Sequence, residues 1–247
     1  MTMKITILGS GGALPPKGRA ETGIFIEKGE RCLLLDCGSG ILMRLDRANI
    51  DVARLNSVLL THHHLDHMSD LLPLLVARWL RDKTHTSIYG PEGMRELIDE
   101  LLKLYEYVRR SVKVEVTELK SGDRFELEGF QIEALQTDHG GVPMLAYKFD
   151  GKFVFSGDTT PFSGMAEFAR GCRLLIHECS FPDGFEVPNH ATPRRLGEVL
   201  AECDVEQLVL THLYPQTQGC EEEMIEALKE RFQGEVRLAE DLIRFEL

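Results

Sequence analysis

Thr61-His62-His63-His64-Leu65-Asp66-His67 sets three spaced imidazoles, His62, His64 and His67, beside the carboxylate of Asp66. The β-rich stretch Ser57-Val58-Leu59-Leu60 runs into it, and the apolar pattern behind it predicts a helix over 69–80. The run therefore lies on a strand-to-helix loop, a usual place for chemistry on an α/β scaffold. Imidazole nitrogen and carboxylate oxygen suit a borderline cation such as zinc, and catalytic sites leave one coordination position for water. His62 and His64, two apart in extended backbone, point the same way and can grip one ion. Asp66 and His67, past the turn, can reach a second.

Further donors stand at the ends of other strand-like runs. His139 follows Phe130-Gln131-Ile132-Glu133-Ala134-Leu135, Asp158 follows Phe153-Val154-Phe155-Ser156-Gly157, and His212 follows Leu208-Val209-Leu210-Thr211. Each alone reads more readily as a hydrogen-bonded structural residue than as a functional one. Together they put a donor set on one edge of a sheet.

These residues resemble the metallo-β-lactamase superfamily, whose H-x-H-x-D-H signature is met by His62, His64, Asp66 and His67. The likeness is to its ribonuclease Z and cyclic-nucleotide phosphodiesterase branch. It is carried by Ile5-Thr6-Ile7-Leu8-Gly9-Ser10-Gly11-Gly12, Tyr89-Gly90-Pro91, Leu175-Ile176-His177-Glu178 and Asn189-His190-Ala191-Thr192. The resemblance implies an α/β (α+β) fold, the four-layer αββα sandwich, over one domain spanning 1–247. It implies that His62, His64 and His139 hold one metal, that Asp66, His67 and His212 hold the other, and that Asp158 bridges. It also implies a catalytic set of Asp66, His190 and Glu178, in which His190 protonates the leaving oxygen and Glu178 orients it. Without the likeness His190 is equally a helix-entry residue.

Two departures narrow the resemblance. Ribonuclease Z commonly carries a long arm between the positions matching His139 and Asp158, and this chain has no room for one. Met68-Ser69-Asp70 stands where the family usually has a glycine before the aspartate.

At 247 residues and 43% hydrophobic content the chain can bury a sizeable core. No apolar stretch approaches a membrane span and no signal-peptide pattern precedes Lys4, so the expectation is a cytoplasmic protein without membrane contact. Cys32, Cys37, Cys172, Cys179, Cys203 and Cys220 lack C-x-x-C spacing and read as small buried residues. Cys179, near His177 and Glu178, is a weak nucleophile candidate, because strand neighbours face opposite ways. Leu33-Leu34-Leu35-Asp36 echoes Phe153 to Asp158, and Val58 to His62 echoes Leu208 to His212, which suits two similar halves. Helices are expected at 91–109, 193–203 and 221–232.

Two divalent ions, most simply zinc with manganese or iron(II) as alternatives, bring a charge of about +4 that Asp66, Asp158 and a bridging hydroxide reduce to about +1. That charge matches a monoanionic phosphodiester, so the expected reaction is metal-dependent phosphodiester hydrolysis on a small anionic or single-stranded nucleotide substrate. An arylsulfatase or an ester/lactone hydrolase would share every donor. A formal charge of −12 argues against broad capture of nucleic acid. Arg78, Arg81, Lys83, Arg109 and Arg110 are either a local basic patch or solvated helix faces. Asp36 reads as an orienter of a metal-binding histidine or as a turn-former, Gly9 to Gly12 as a tight turn lining the site, and His63 and His85 as structural or exposed. A homodimer is open.

Overall fold

The computed structural model describes residues 1–185 and 187–247. In chain order the first strands are β1 (Lys4–Gly9), β2 (Gly23–Lys28), β3 (Arg31–Leu35), β4 (Ser57–Leu59), β5 (His85–Gly90) and β6 (Lys113–Glu118). They are followed by β7 (Arg124–Leu127), β8 (Phe130–Gln136), β9 (Leu145–Phe149), β10 (Phe153–Phe155), β11 (Leu174–Glu178), β12 (Gln207–Thr211), β13 (Glu235–Leu238) and β14 (Arg244–Glu246). Among the described residues they form two sheets, ordered β14-β1-β2-β3-β4-β5-β6 and β13-β12-β11-β10-β9-β8-β7. Each sheet is antiparallel in one part and parallel in the other, with the change at β3–β4 and β10–β11.

Helices cover the outer faces. Those over the first sheet are α1 (Ile41–Arg47), α2 (Leu71–Trp79), α3 (Met94–Leu104) and α4 (Glu106–Ser111), whose Leu45, Leu74, Ile98 and Val108 pack on Leu34, Val58 and Ile88. Over the second lie α5 (Ser163–Ala169), α6 (Pro193–Leu200) and α7 (Glu221–Lys229), whose Met165, Leu196 and Leu228 pack on Val154, Leu175 and Leu208. Between the sheets Ile5, Leu33, Phe130, Tyr147, Phe153, Ile176 and Val209 form the inner core. Full burial of such side chains is worth about 1.5–3 kcal/mol each. This is the αββα sandwich that the sequence predicts.

The expected helix over 91–109 is broken. Tyr105 leaves helical geometry at φ −109° and ψ 64° and separates α3 from α4. Leu102 and Val108, on either side of the break, are both buried. The duplicated halves also differ from the sequence echo. His62 follows β4, next to the strand that ends at Asp36, but Asp158 and His212 follow β10 and β12, with β11 and Glu178 between them. Between His139 and Asp158 the chain makes only the β9–β10 hairpin, turned at Asp150 and Gly151, both with positive φ.

Arg78 does not join a basic patch. It is buried under α2, and its guanidinium donates to the carbonyls of Val52 and His85, to Asn56 Oδ1 and to Thr86 Oγ1. Arg81 pairs with Asp51 at 3.2 Å and Arg110 with Glu106 at 2.5 Å, so much of the remaining charge is matched locally. Among the described residues all six cysteines are free, and no helix is long and apolar enough to cross a membrane.

Candidate metal centre

The strand ends converge on one edge of the sandwich. Leaving β4, the chain passes Thr61 and His62 and tightens into a short 3-10 turn over Leu65–His67. The second sheet holds this run in place: Leu145 N–H donates to Thr61 O at 3.0 Å, and Tyr147 Oη donates to Leu60 O at 2.9 Å. Burial pushes the Tyr147 hydroxyl far above the usual phenol range, which keeps it a donor. In the turn after the signature, Asp70 Oδ2 accepts from Leu42 N–H at 2.9 Å and Asp70 N–H donates to Cys37 O at 2.9 Å. Those bonds fix the turn without the family's glycine.

All seven expected donors come together, in two groups that share one residue. His62, His64, His139 and Asp158 offer atoms within 4.8 Å of one another, and so do Asp66, His67, Asp158 and His212. Four of the five imidazoles have Nδ1 engaged from outside. His62 Nδ1 lies 3.0 Å from Thr61 Oγ1, His67 Nδ1 2.7 Å from Asp36 Oδ2, His139 Nδ1 2.8 Å from Asn189 O, and His212 Nδ1 2.9 Å from Ser180 Oγ. Such partners set the ring orientation and leave Nε2 for the centre. His62 Nε2, His67 Nε2 and Asp158 Oδ1 are buried without a hydrogen-bond partner. Buried polar atoms left so are costly unless a bound group takes them, and neutral imidazoles facing carboxylates are what a divalent cation requires.

The electrostatics of the two groups differ: burial opposes a charged His67, but Asp158 and Asp36 raise it well above the ordinary histidine range, whereas His62 and His64 are lowered. Burial, reinforced by the charge of His67, holds His62 well below the ordinary histidine range, and burial also lowers His64. Both are therefore neutral. Burial alone would raise Asp158, yet His212 and His67 hold its carboxyl well below the usual range. Asp66 is likewise pushed up by burial but brought down, on balance, by the hydrogen bond from His212 Nε2 at 3.0 Å. Asp36 is the orienter of His67 that the sequence allows: fully buried at φ 58°, it also accepts from Thr61 N–H at 2.8 Å and Thr61 Oγ1–H at 2.9 Å. His212 is another non-glycine residue in the left-handed region, at φ 60°, and such backbone strain gathers where function constrains a side chain.

Glu178 and His190 lie beside the second group. His190 Nδ1 is 2.9 Å from Glu178 Oε1. Burial opposes the charged imidazolium, but that contact prevails and His190 is raised above the ordinary range. Glu178 is fixed by Thr159 N–H, Ser180 N–H, Ser180 Oγ–H and Ala191 N–H. Ser180, which therefore touches Glu178, His190 and His212, has no sequence signal except its place after the His177-Glu178-Cys179 run. Thr61, Asn189, Tyr214 and Phe181 are also near the centre and were not legible as such.

The remaining candidates fall as follows. Cys179 is buried, its thiol is pushed well up by burial, and His177 Nδ1 is engaged with Glu178 O, so no nucleophilic pair forms. His63 packs against Gly93, and His85 is exposed beside Glu115 at 3.4 Å. Ser10, Gly11 and Gly12 give their N–H groups to Asp241 Oδ1, Ala20 O and Leu213 O, which leaves none for a phosphate. Gly12 does line the site: a Cβ there would lie 2.8 Å from His212 Cε1 and 2.5 Å from Tyr214 Cε2.

Residues 3–232 match the family model described as Anti-Pycsar protein Apyc1. A ribonuclease Z of Mycobacterium avium is 30% identical, with 99% of this chain and 98% of that protein covered. That alignment is 275 positions long against a chain of 247, so the relative carries residues with no counterpart here. The metallo-β-lactamase fold protein YhfI of Bacillus subtilis superposes with a TM-score of 0.87 at 27% identity, covering 100% of this chain and 99% of that one. Human tRNase Z, short form, does so with a TM-score of 0.76 at 23% identity and 98% coverage of each. With the donor cluster at the shared sheet edge, these likenesses place the chain in the Apyc1 family, among the metal-dependent hydrolases of the metallo-β-lactamase fold related to ribonuclease Z.

Proposed function

We propose that this chain hydrolyses phosphodiesters with two divalent ions, zinc first and manganese or iron(II) as alternatives, on a small anionic or single-stranded nucleotide substrate. The observation that carries this is the pair of donor groups sharing Asp158. His62, His64 and His139 would hold one ion, and Asp66, His67 and His212 the other, with Asp158 between them. Bound there, the ions would lower the pKa of water toward ~7 and polarise the phosphoryl oxygens.

The chain's own groups supply the rest. Neutral histidines and only two carboxylates leave the loaded centre positive, which suits a monoanion and gives a phosphodiester the advantage over a neutral ester or lactone. His190, with Nδ1 held by Glu178, keeps a proton for the leaving oxygen, and Glu178 is the positioning residue. Asp66 Oδ2 lies 3.0 Å from His212 Nε2, so that both atoms would serve the same ion as donors. The plain β9–β10 hairpin offers nothing to grip a folded transfer RNA, so the substrate is small.

The two donor groups draw on both sheets, which supports reading 1–247 as one domain. Exposed Leu80, Leu104, Tyr105 and Tyr107 on the face of α2 to α4 support a homodimer, which sedimentation would test. The central test is elemental analysis with a substrate panel. About two ions per chain and hydrolysis of an aryl phosphodiester above the aryl sulfate, the lactone and the phosphomonoester are expected. Less than half an equivalent of metal after supplementation, or preference for the sulfate or lactone, would move the chain out of this class.

A further inference from the structure

Beside the metal centre an aromatic stack runs outward that the chemistry above does not use. Tyr214 has its ring 5.7 Å from that of His212 and 6.0 Å from that of His190, and it is packed against Gly12. Phe181 stacks on Tyr214 at 4.8 Å with an interplanar angle of 25°, and its ring is 6.0 Å from His190. Phe185 stacks in turn on Phe181 at 5.9 Å and 25°.

Burial falls from Phe181 to Phe185. Phe181 is 8% exposed and Phe185 43%, and among the described residues no other phenylalanine is so exposed. The segment carrying it is anchored, since Gly184 turns the chain at φ 92° and Asp183 Oδ1 accepts from Arg194 N–H at 3.1 Å at the start of α6. A phenylalanine that contributes so little to the core, held in line with two rings that touch the catalytic histidines, needs another account.

We propose that Phe185, backed by Phe181 and Tyr214, is the platform on which the base of a nucleotide substrate stacks, so that the chain selects nucleoside phosphodiesters over alkyl ones. The proposal rests on the phosphodiesterase reading and adds the residue that would set its preference. The physical basis is the flat π-face that every base presents and an alkyl group lacks. Stacking tolerates any base, so the platform selects nucleotides as a class. The His190 ring lies 6.0 Å from that of Phe181 and 5.4 Å from that of His212, within reach of both the platform and the donor cluster.

The test is direct binding to metal-replete protein, titrated with thymidine 5′-monophosphate and, separately, with methyl phosphate. The wild-type chain should bind the nucleotide more tightly. Phe185→Ala should raise the nucleotide Kd about tenfold and leave the methyl phosphate Kd unchanged, and Phe185→Trp should retain the wild-type value. An unchanged nucleotide Kd in Phe185→Ala, an equal loss for both ligands, or no wild-type preference for the nucleotide overturns the proposal. The phosphodiesterase reading is judged separately, on whether the wild type turns over methyl p-nitrophenyl phosphate.

Discussion

The first sheet brings its donors to the centre in one short run, His62 to His67, braced by the buried carboxylate of Asp36 and by Thr61. At the second sheet's edge they arrive one at a time, Asp158 after β10, Glu178 at the end of β11 and His212 after β12, with the neutral hydroxyl of Ser180 joining Glu178, His190 and His212. The contrast extends to exposure. His62 and His67 are sealed, whereas His190 is partly open and leads to a stack that ends in solvent at Phe185. Both sides supply metal donors, but the first braces them with a carboxylate, whereas the second is linked by a hydroxyl and also carries His190, which holds the proton.

The comparison breaks most visibly if the braced side holds no metal. Asp66→Ala removes a donor of the second group, and turnover of an aryl phosphodiester should fall at least about 10³-fold with loss of metal by elemental analysis. A variant that kept both ions would undo the assignment.

Next in size is His190→Ala, at about 10²–10⁴-fold on a nucleoside or alkyl diester and far less on a nitrophenyl diester, whose leaving group needs little proton help. Metal content should not change. The pH profile gives the sign: a general acid works in its protonated form, and Glu178 holds His190 above the ordinary histidine range. Turnover of the alkyl diester should therefore persist through that range and fall only as pH rises past the elevated value, and Glu178→Gln should bring the fall to lower pH. Equal losses on both leaving groups would make His190 a positioning residue.

Two smaller effects compare the braces directly. Asp36→Asn exchanges the charged partner of His67 for a neutral one and should weaken metal retention by about 10–100-fold, read by competition with a chelator. Ser180→Ala removes one neutral hydrogen bond from His212 and should cost metal affinity only about fivefold, the equivalent of roughly 1 kcal/mol. Equal losses in the two variants would erase the distinction between the sides.

Much of this was readable from local pattern. The H-x-H-x-D-H run, the strand ends before His139, Asp158 and His212, and the helices beginning at Pro193 and Glu221 follow from residue type and period. Arg78 was misplaced as surface charge, because an arginine whose donors all meet neutral acceptors leaves no sequence partner to find. Ser180, Asn189 and Tyr214 escaped for a related reason: their importance lies in what they touch.

The sequence by itself determined the donor chemistry, the strand-end placement of the donors and the shortness of the link between His139 and Asp158, since each depends on residue identity and spacing along the chain. Only the tertiary structure decided that β11 sets Glu178 between Asp158 and His212, and that Tyr214, Phe181 and Phe185 line up beside them. The physical reason is that strand order and side-chain convergence are set by packing two sheets on a shared core, and residues far apart in the chain meet only when that core has formed.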